Sequence, residues 1–149
     1  MTSILIGRRA FLAALGGGLL FLASPAAAAE MTVWKSPSCG CCGAWVEHIR
    51  AAGFKVVVRD VEDVTPIKRA NGVTPELASC HTAVIDGYVV EGHVPADSLK
   101  RLLAKRPAVK GIAVPGMPMG SPGMEGPGKD AYEVVVFDDE GRATLWEKR

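Results

Sequence analysis

The chain is short of several things, and each shortage closes off a class of function. Basic residues barely outnumber acidic ones: 17 Lys and Arg stand against 16 Asp and Glu, a formal charge of +1. Binding nucleic acid by charge requires a basic excess, and there is none. Four cysteines among 149 residues are too few for a disulfide-built scaffold. Past the first thirty positions, no apolar run approaches the length needed to cross a bilayer. What remains is ordinary: 48% hydrophobic and 22% charged residues, about one globular domain's worth. That balance excludes a disordered, collagenous or coiled-coil chain.

The N-terminus has a different character. Arg8 and Arg9 precede an apolar run over residues 11–23, and Ser24-Pro25-Ala26-Ala27-Ala28-Ala29 follows. A charged start, a short apolar centre and small residues at the end predict a cleavable export signal over residues 1–29. Gly7-Arg8-Arg9-Ala10-Phe11-Leu12 resembles a twin-arginine signal, the kind that exports folded proteins. An ordinary signal that happens to hold two arginines is the alternative. Without Arg8 and Arg9, 15 basic side chains face 16 acidic ones, a formal charge of −1. The expected product is a single bacterial periplasmic domain, residues 30–149, with no membrane span. That compartment is oxidising, so a thiol kept free there needs a chemical reason.

Within that domain, residues 32–35 read as a strand, 36–38 as a turn and about 41–52 as a helix with Trp45, Ile49 and Ala52 on one face. Gly53 stops the helix, and residues 54–58 form a β-branched strand, which completes a βαβ unit. A short helix is expected near 66–70 and a turn at 75–77. Residues 82–85 and 88–91 pair as a hairpin across Asp86-Gly87, and a helix carrying Leu99, Leu102 and Leu103 starts at Pro95. The order β-α-β-(α)-β-β-α is that of a thioredoxin-like α/β domain, a mixed sheet with flanking helices. Residues 111–128 hold ten Gly or Pro, plus Met117, Met119 and Met124. This composition predicts loop throughout, with neither helix nor sheet interior. Residues 132–137 and 142–146 are expected to close the chain as a C-terminal β-hairpin.

Chemistry concentrates in Cys39-Gly40-Cys41-Cys42, a C-x-x-C pair with a third thiol inside it, at a strand-to-helix turn. Unpaired N–H groups at a helix start favour thiolate, which lowers a thiol's pKa below about 8.5. Thiolate both attacks disulfides and binds metal, so the motif reads as redox or metal-binding. A purely structural disulfide there would close a very short loop and restrict the unfolded chain little. In a thioredoxin-like sheet the third strand runs antiparallel to the first, so its start lies beside the cysteine turn. Redox members of that fold usually carry a cis-proline there. This chain has Cys80-His81-Thr82 instead, which weakens the plain oxidoreductase reading and brings a soft ligand to the turn. A buried small hydrophobe is the alternative for Cys80.

The histidines divide. His81 and His93 are candidate ligands, His81 with the reservation that neighbours in a strand face opposite sides. A helix-entry role is the alternative for His93. His48 follows Cys41 by seven residues, about 10 Å along a helix axis, and is expected to be structural. Thiolates and thioethers together select Cu(I), whereas zinc seldom uses a thioether. Met117 and Met124 on the Gly/Pro loop are therefore candidate ligands; apolar plugs or a partner-binding lip are the alternative. Four cysteines exceed what one Cu(I) needs, so bridging thiolates holding more than one ion are expected.

Lys35-Ser36-Pro37-Ser38-Cys39-Gly40-Cys41-Cys42, Trp45, His48, Ser79-Cys80-His81-Thr82-Ala83, Glu91-Gly92-His93-Val94-Pro95-Ala96 and Gly116-Met117-Pro118-Met119-Gly120-Ser121-Pro122-Gly123-Met124-Glu125 together resemble the CopG-type periplasmic copper-resistance family. The resemblance spans nearly all of the expected domain. It implies a thioredoxin-like fold, copper bound by cysteines with methionine help, and a role in copper tolerance by interconverting Cu(I) and Cu(II). Partners would be copper ions and other periplasmic copper-handling proteins. Met119 occupies what looks like a variable slot, so Met117 and Met124 are preferred. The expected metal set is Cys39, Cys41, Cys42, Cys80, His81, His93, Met117 and Met124. Two functions compete with this one: a thiol–disulfide oxidoreductase using Cys39 and Cys42, and a zinc or interaction module without turnover.

Overall fold

A computed structural model describes residues 29–149. The expected export signal, Arg8 and Arg9 included, lies outside the described residues except for its last position. Alternation lays down the first strand: Met31 and Val33 are fully buried between more exposed neighbours in β1 (Glu30–Lys35). The turn that follows gives way to α1 (Gly40–Ala51), where Cys42, Trp45, Val46 and Ile49 recur at helical spacing and make the buried face. Next come β2 (Lys55–Asp60) and α2 (Thr65–Ala70), the latter with Pro66 in its first turn, where a missing N–H costs nothing. β3 (Thr82–Ile85) and β4 (Tyr88–Glu91) form a hairpin. Its two turn residues, Asp86 and Gly87, have φ of 50° and 83°, the geometry that suits a two-residue hairpin loop. α3 (Ala96–Lys105) buries Leu99 and Leu102, and β5 (Gly111–Ala113), β6 (Glu133–Phe137) and β7 (Ala143–Lys148) complete the chain.

The seven strands form one mixed sheet in the order β2-β1-β3-β4-β5-β6-β7. The β1–β2 and β4–β5 pairs are parallel and the others antiparallel. This is the α/β architecture the element order predicts. Trp45, Ile49, Leu99 and Leu102 of the helices pack with Met31, Val33, Ile112, Val134 and Val136 in the larger core. Val73, Leu77, Val89, Ala113, Val135 and Phe137 form a smaller second one. Each large apolar side chain fully buried in this way contributes about 1.5–3 kcal/mol.

One expectation is corrected. Residues 111–113 are not loop but β5, and they lie inside the sheet between β4 and β6. Gly111 is what lets the strand fit: a Cβ there would overlap the Val89 carbonyl and the Phe137 ring. Composition averaged over the 18-residue stretch hid three residues whose small first member is a packing requirement. The final strand also extends to Lys148, two residues past the expected end.

Candidate metal centre

Strand pairing builds the site. β1 and β3 run antiparallel with Trp34 opposite Thr82, so the turn after β1 and the segment before β3 meet at one end of the sheet. Thr82 in turn faces Glu91 at the end of β4, which brings His93 to the same end. The ligand atoms of Cys39, Cys41, Cys42 and Cys80 all lie within 4.8 Å of one another. Cys41 Sγ stands 3.5 Å from Cys39 Sγ and 3.8 Å from Cys80 Sγ. Cys39 and Cys42 are joined by a disulfide, with Cα atoms 5.3 Å apart, while Cys41 and Cys80 are free thiols.

The ligand atoms of Cys80, His81 and His93 likewise lie within 4.8 Å of one another. His93 Nδ1 lies 2.8 Å from the Pro122 carbonyl. A carbonyl only accepts, so Nδ1 carries the proton and the Nε2 lone pair receives the Cys80 S–H at 2.9 Å. His81 Nδ1 is 3.6 Å from the same sulfur. The alternation that set Cys80 and His81 apart does not operate, because β3 begins only at Thr82. His81 is fully buried against Trp45, with ring centroids 4.3 Å apart, and its Nε2 finds no hydrogen-bond partner among the described residues.

Burial governs protonation here. It pushes His81 down to about 3, with smaller contributions from His93 and Lys68. Burial also lowers His93, against the Pro122 carbonyl and the Glu125 charge. Both imidazoles are therefore neutral near pH 7, the form that ligates metal. Burial, then the charge of Cys41, pushes Cys80 up to about 11. A metal taken up there has to displace a proton.

Residues that sequence reasoning passed over hold these donors in place. The fully buried Glu91 carboxylate accepts from Lys68 Nζ at 2.5 Å, the Ser79 N–H at 2.7 Å and Thr82 Oγ1 at 2.7 Å. Ser79 and Thr82 bracket Cys80 and His81, so one carboxylate tethers both ends of that segment. The signal was available: Glu91 is the charged end of an apolar strand, and Lys68 is a basic residue that ends up buried. The Gly/Pro loop is tied down on both sides of the site. The Gly116 N–H donates to the Ala78 carbonyl at 3.1 Å, and Ser79 Oγ donates to the Gly116 carbonyl. Further along, Gly123 (φ +86°) presses on α1, where a Cβ would come within 2.6 Å of the Cys41 carbonyl and 2.8 Å of the Trp45 nitrogen. Met117 follows the first anchor and is 53% exposed; Met124 follows the second and is half-buried. His48 stands apart from the donor groups as expected, its Nε2 accepting the Ala96 N–H at 3.1 Å at the start of α3.

Four sulfurs and two neutral imidazoles, one with an orphaned buried nitrogen, are a donor set suited to soft or borderline ions. Comparison with known proteins points the same way. A family profile described as "Protein of unknown function, DUF411" matches residues 77–124, a stretch that contains Cys80, His81, His93, Met117 and Met124. Two solved structures of the copper resistance protein copG are similar. Form 2 is 44% identical with a TM-score of 0.76, covering 81% of this chain and 98% of that one. Form 1 is 45% identical with a TM-score of 0.75, covering 80% and 96%. Among curated proteins nothing matches.

Proposed function

The chain belongs to the family of the copper resistance protein CopG, and on that footing we propose that it is a periplasmic copper-binding protein of copper homeostasis that takes up Cu(I) through Cys39, Cys41, Cys42 and Cys80. The observation that carries this reading is the convergence of Cys80 on the turn thiols across 39 positions of sequence. A core filler has no need of three other sulfurs. Two electrons and two protons open the Cys39–Cys42 disulfide and leave four thiols. Cu(I) is content with two or three soft ligands, so bridging thiolates can hold more than one ion. Met117 and Met124 on the Gly/Pro loop add thioethers, and His81 and His93 add imidazoles. The segment from β1 to α3 follows a thioredoxin-like plan, and residues 1–29 serve as its export signal.

Interconversion of oxidation states fits the same residues. The Cys39 and Cys42 thiolates give one electron each to two Cu(II), which leaves two Cu(I) and the disulfide. The test is elemental analysis of the anaerobically reduced protein after Cu(I) loading against a Cu(I) chelator. More than one tightly held copper per chain is expected, falling to one at most in Cys39→Ser/Cys42→Ser, which keeps only Cys41 and Cys80. A clean value of one ion per chain rejects the bridged cluster. The Cys39–Cys42 disulfide also favours a second reading, a thiol–disulfide oxidoreductase acting on exported proteins. That reading requires metal-free protein to speed insulin reduction, and no acceleration removes it.

A further inference from the structure

The end of the sheet opposite the donor groups carries an apolar groove. β1 begins there and β3 ends there, since Thr32 pairs with Val84. Ala29, Ala52, Phe54, Ile85 and Leu103 line a cavity of about 270 Å³, with Lys100 beside them. Ala52, Phe54 and Leu103 pack against the larger core yet stay half-buried, so part of their apolar surface faces the groove. Lys100 Nζ stands 5.9 Å from the centre of the Phe54 ring. No thiol, imidazole or carboxylate lines the cavity, so it offers nothing to a metal ion. An open apolar hollow of this kind marks a place where other apolar groups dock.

The chain supplies a fitting occupant of its own. Ala29 is part of the lining and is also where the domain joins residues 1–28. No charged side chain occurs between Arg9 and Glu30, and the apolar block nearest the groove is Leu19-Leu20-Phe21-Leu22-Ala23. Ser24-Pro25-Ala26-Ala27-Ala28 separates that block from Ala29, five residues, an ordinary length for a connection that turns a chain back on itself. A dry cavity of about 150 Å³ encloses a benzene ring. The groove therefore admits the Phe21 ring together with a neighbouring leucine side chain. Attachment at the groove's edge gives the block an effective concentration on the order of millimolar, so a weak affinity suffices. A free partner has no such advantage.

We propose that in the uncleaved chain residues 19–23 dock in this groove, so that the folded domain covers the apolar part of its own signal until export begins. This rests on the reading of residues 1–29 as a signal of the kind that exports folded proteins. Such a signal and a finished domain are in water together, and an uncovered apolar run would associate with other chains. Docking keeps the contact within one molecule. Release of the run to the membrane vacates the groove, and cleavage beside Ala29 makes the release permanent. The groove lies at the far end of the sheet from Cys80, so docking leaves the donor groups untouched.

The test uses the full chain, purified without detergent, with the photo-crosslinker p-benzoylphenylalanine in place of Phe21. Irradiation is expected to join position 21 to residues 52–54 and 100–103 of the same chain, at monomer mass and located by peptide mapping. Leu103→Glu should cut that yield at least fivefold. Leu20→Ser/Leu22→Ser should do the same, and because it changes nothing in the described domain it decides the matter even where Leu103→Glu fails to fold. Crosslinks between chains only, crosslinks scattered over the domain, no crosslink, or a yield unchanged in Leu20→Ser/Leu22→Ser would each overturn the proposal. Export is followed separately by cell fractionation: a shortened periplasmic chain is expected for wild type, and a full-length cytoplasmic one for Arg8→Lys/Arg9→Lys. Export indifferent to those two substitutions would sink the folded-export reading, while the crosslinks still decide whether the groove holds the run.

Discussion

His81 is held neutral by a fold that gives its charged form nothing to interact with. Its pKa is pushed down to about 3, chiefly by burial, from an ordinary 6.5. Below pH 6.5 the unfolded chain takes up a proton that the native state refuses. The stability present above that pH is therefore lost as the pH falls toward the folded value. For the metal-free protein this amounts to about 2–3 kcal/mol at pH 4.5, and urea denaturation at pH 7 and 4.5 measures it. His81→Leu should flatten that dependence. Glu91 poses the opposite problem, a buried charge whose partner is Lys68. Glu91→Gln leaves the lysine without its counter-ion and is expected to cost about 3–5 kcal/mol in thermal or urea unfolding. Replacing the pair together, Lys68→Met/Glu91→Leu, should cost less than Glu91→Gln, because no lone charge then remains. In folded Glu91→Gln, Cys80 should also alkylate faster, since Ser79 and Thr82 lose their shared tether.

The elements that alternate or repeat plainly were legible: β1, α1, the β3–β4 hairpin and α3 each carry their own periodicity and turn chemistry. The antiparallel run of β3 beside β1 was legible too, and it places Cys80 at the turn. What escaped depends on contacts between elements. β5 hid because Gly111 reads as a breaker until Val89 and Phe137 are seen to crowd it. His81 was set against Cys80 by strand alternation, a rule that needs the strand's first residue, and that residue is Thr82. The Glu91 tether and the Pro122 carbonyl on His93 join segments 9 to 29 residues apart, with no local signature. The loop at residues 115–125 shows the same dependence. Gly123→Ala would place a methyl group against Cys41 and Trp45 in a left-handed conformation. It is expected to cost about 1–3 kcal/mol, read from the urea midpoint, and to speed proteolysis within this loop.

The donors come from the N-cap and first turn of α1, the approach to β3 and the exit from β4, so an ion held by them would tie together segments that unfolding separates. The unfolded chain presents the same side chains without their geometry, and metal binding is thereby coupled to folding. A ligand at a thousand times its dissociation constant, bound only by the native state, adds about 4 kcal/mol. For a domain of this size that corresponds to a rise in Tm of about 10 °C or more. Net charge would contribute little to such uptake. Residues 30–149 carry 15 basic and 16 acidic side chains, so no strong field gathers cations and moderate salt should leave ion affinity nearly unchanged. The state of the Cys39–Cys42 pair should be legible in the thermal response to Cu(I). In calorimetry, reduced wild type should gain a larger Tm increase with Cu(I) than unreduced wild type, in which the disulfide takes up two of the four sulfurs. Cys39→Ser/Cys42→Ser should gain less from Cu(I) than reduced wild type, because serine takes two of the four sulfurs and leaves Cys41 and Cys80. Equal Cu(I)-induced Tm increases in all three proteins would mean that Cys39 and Cys42 contribute nothing to the binding.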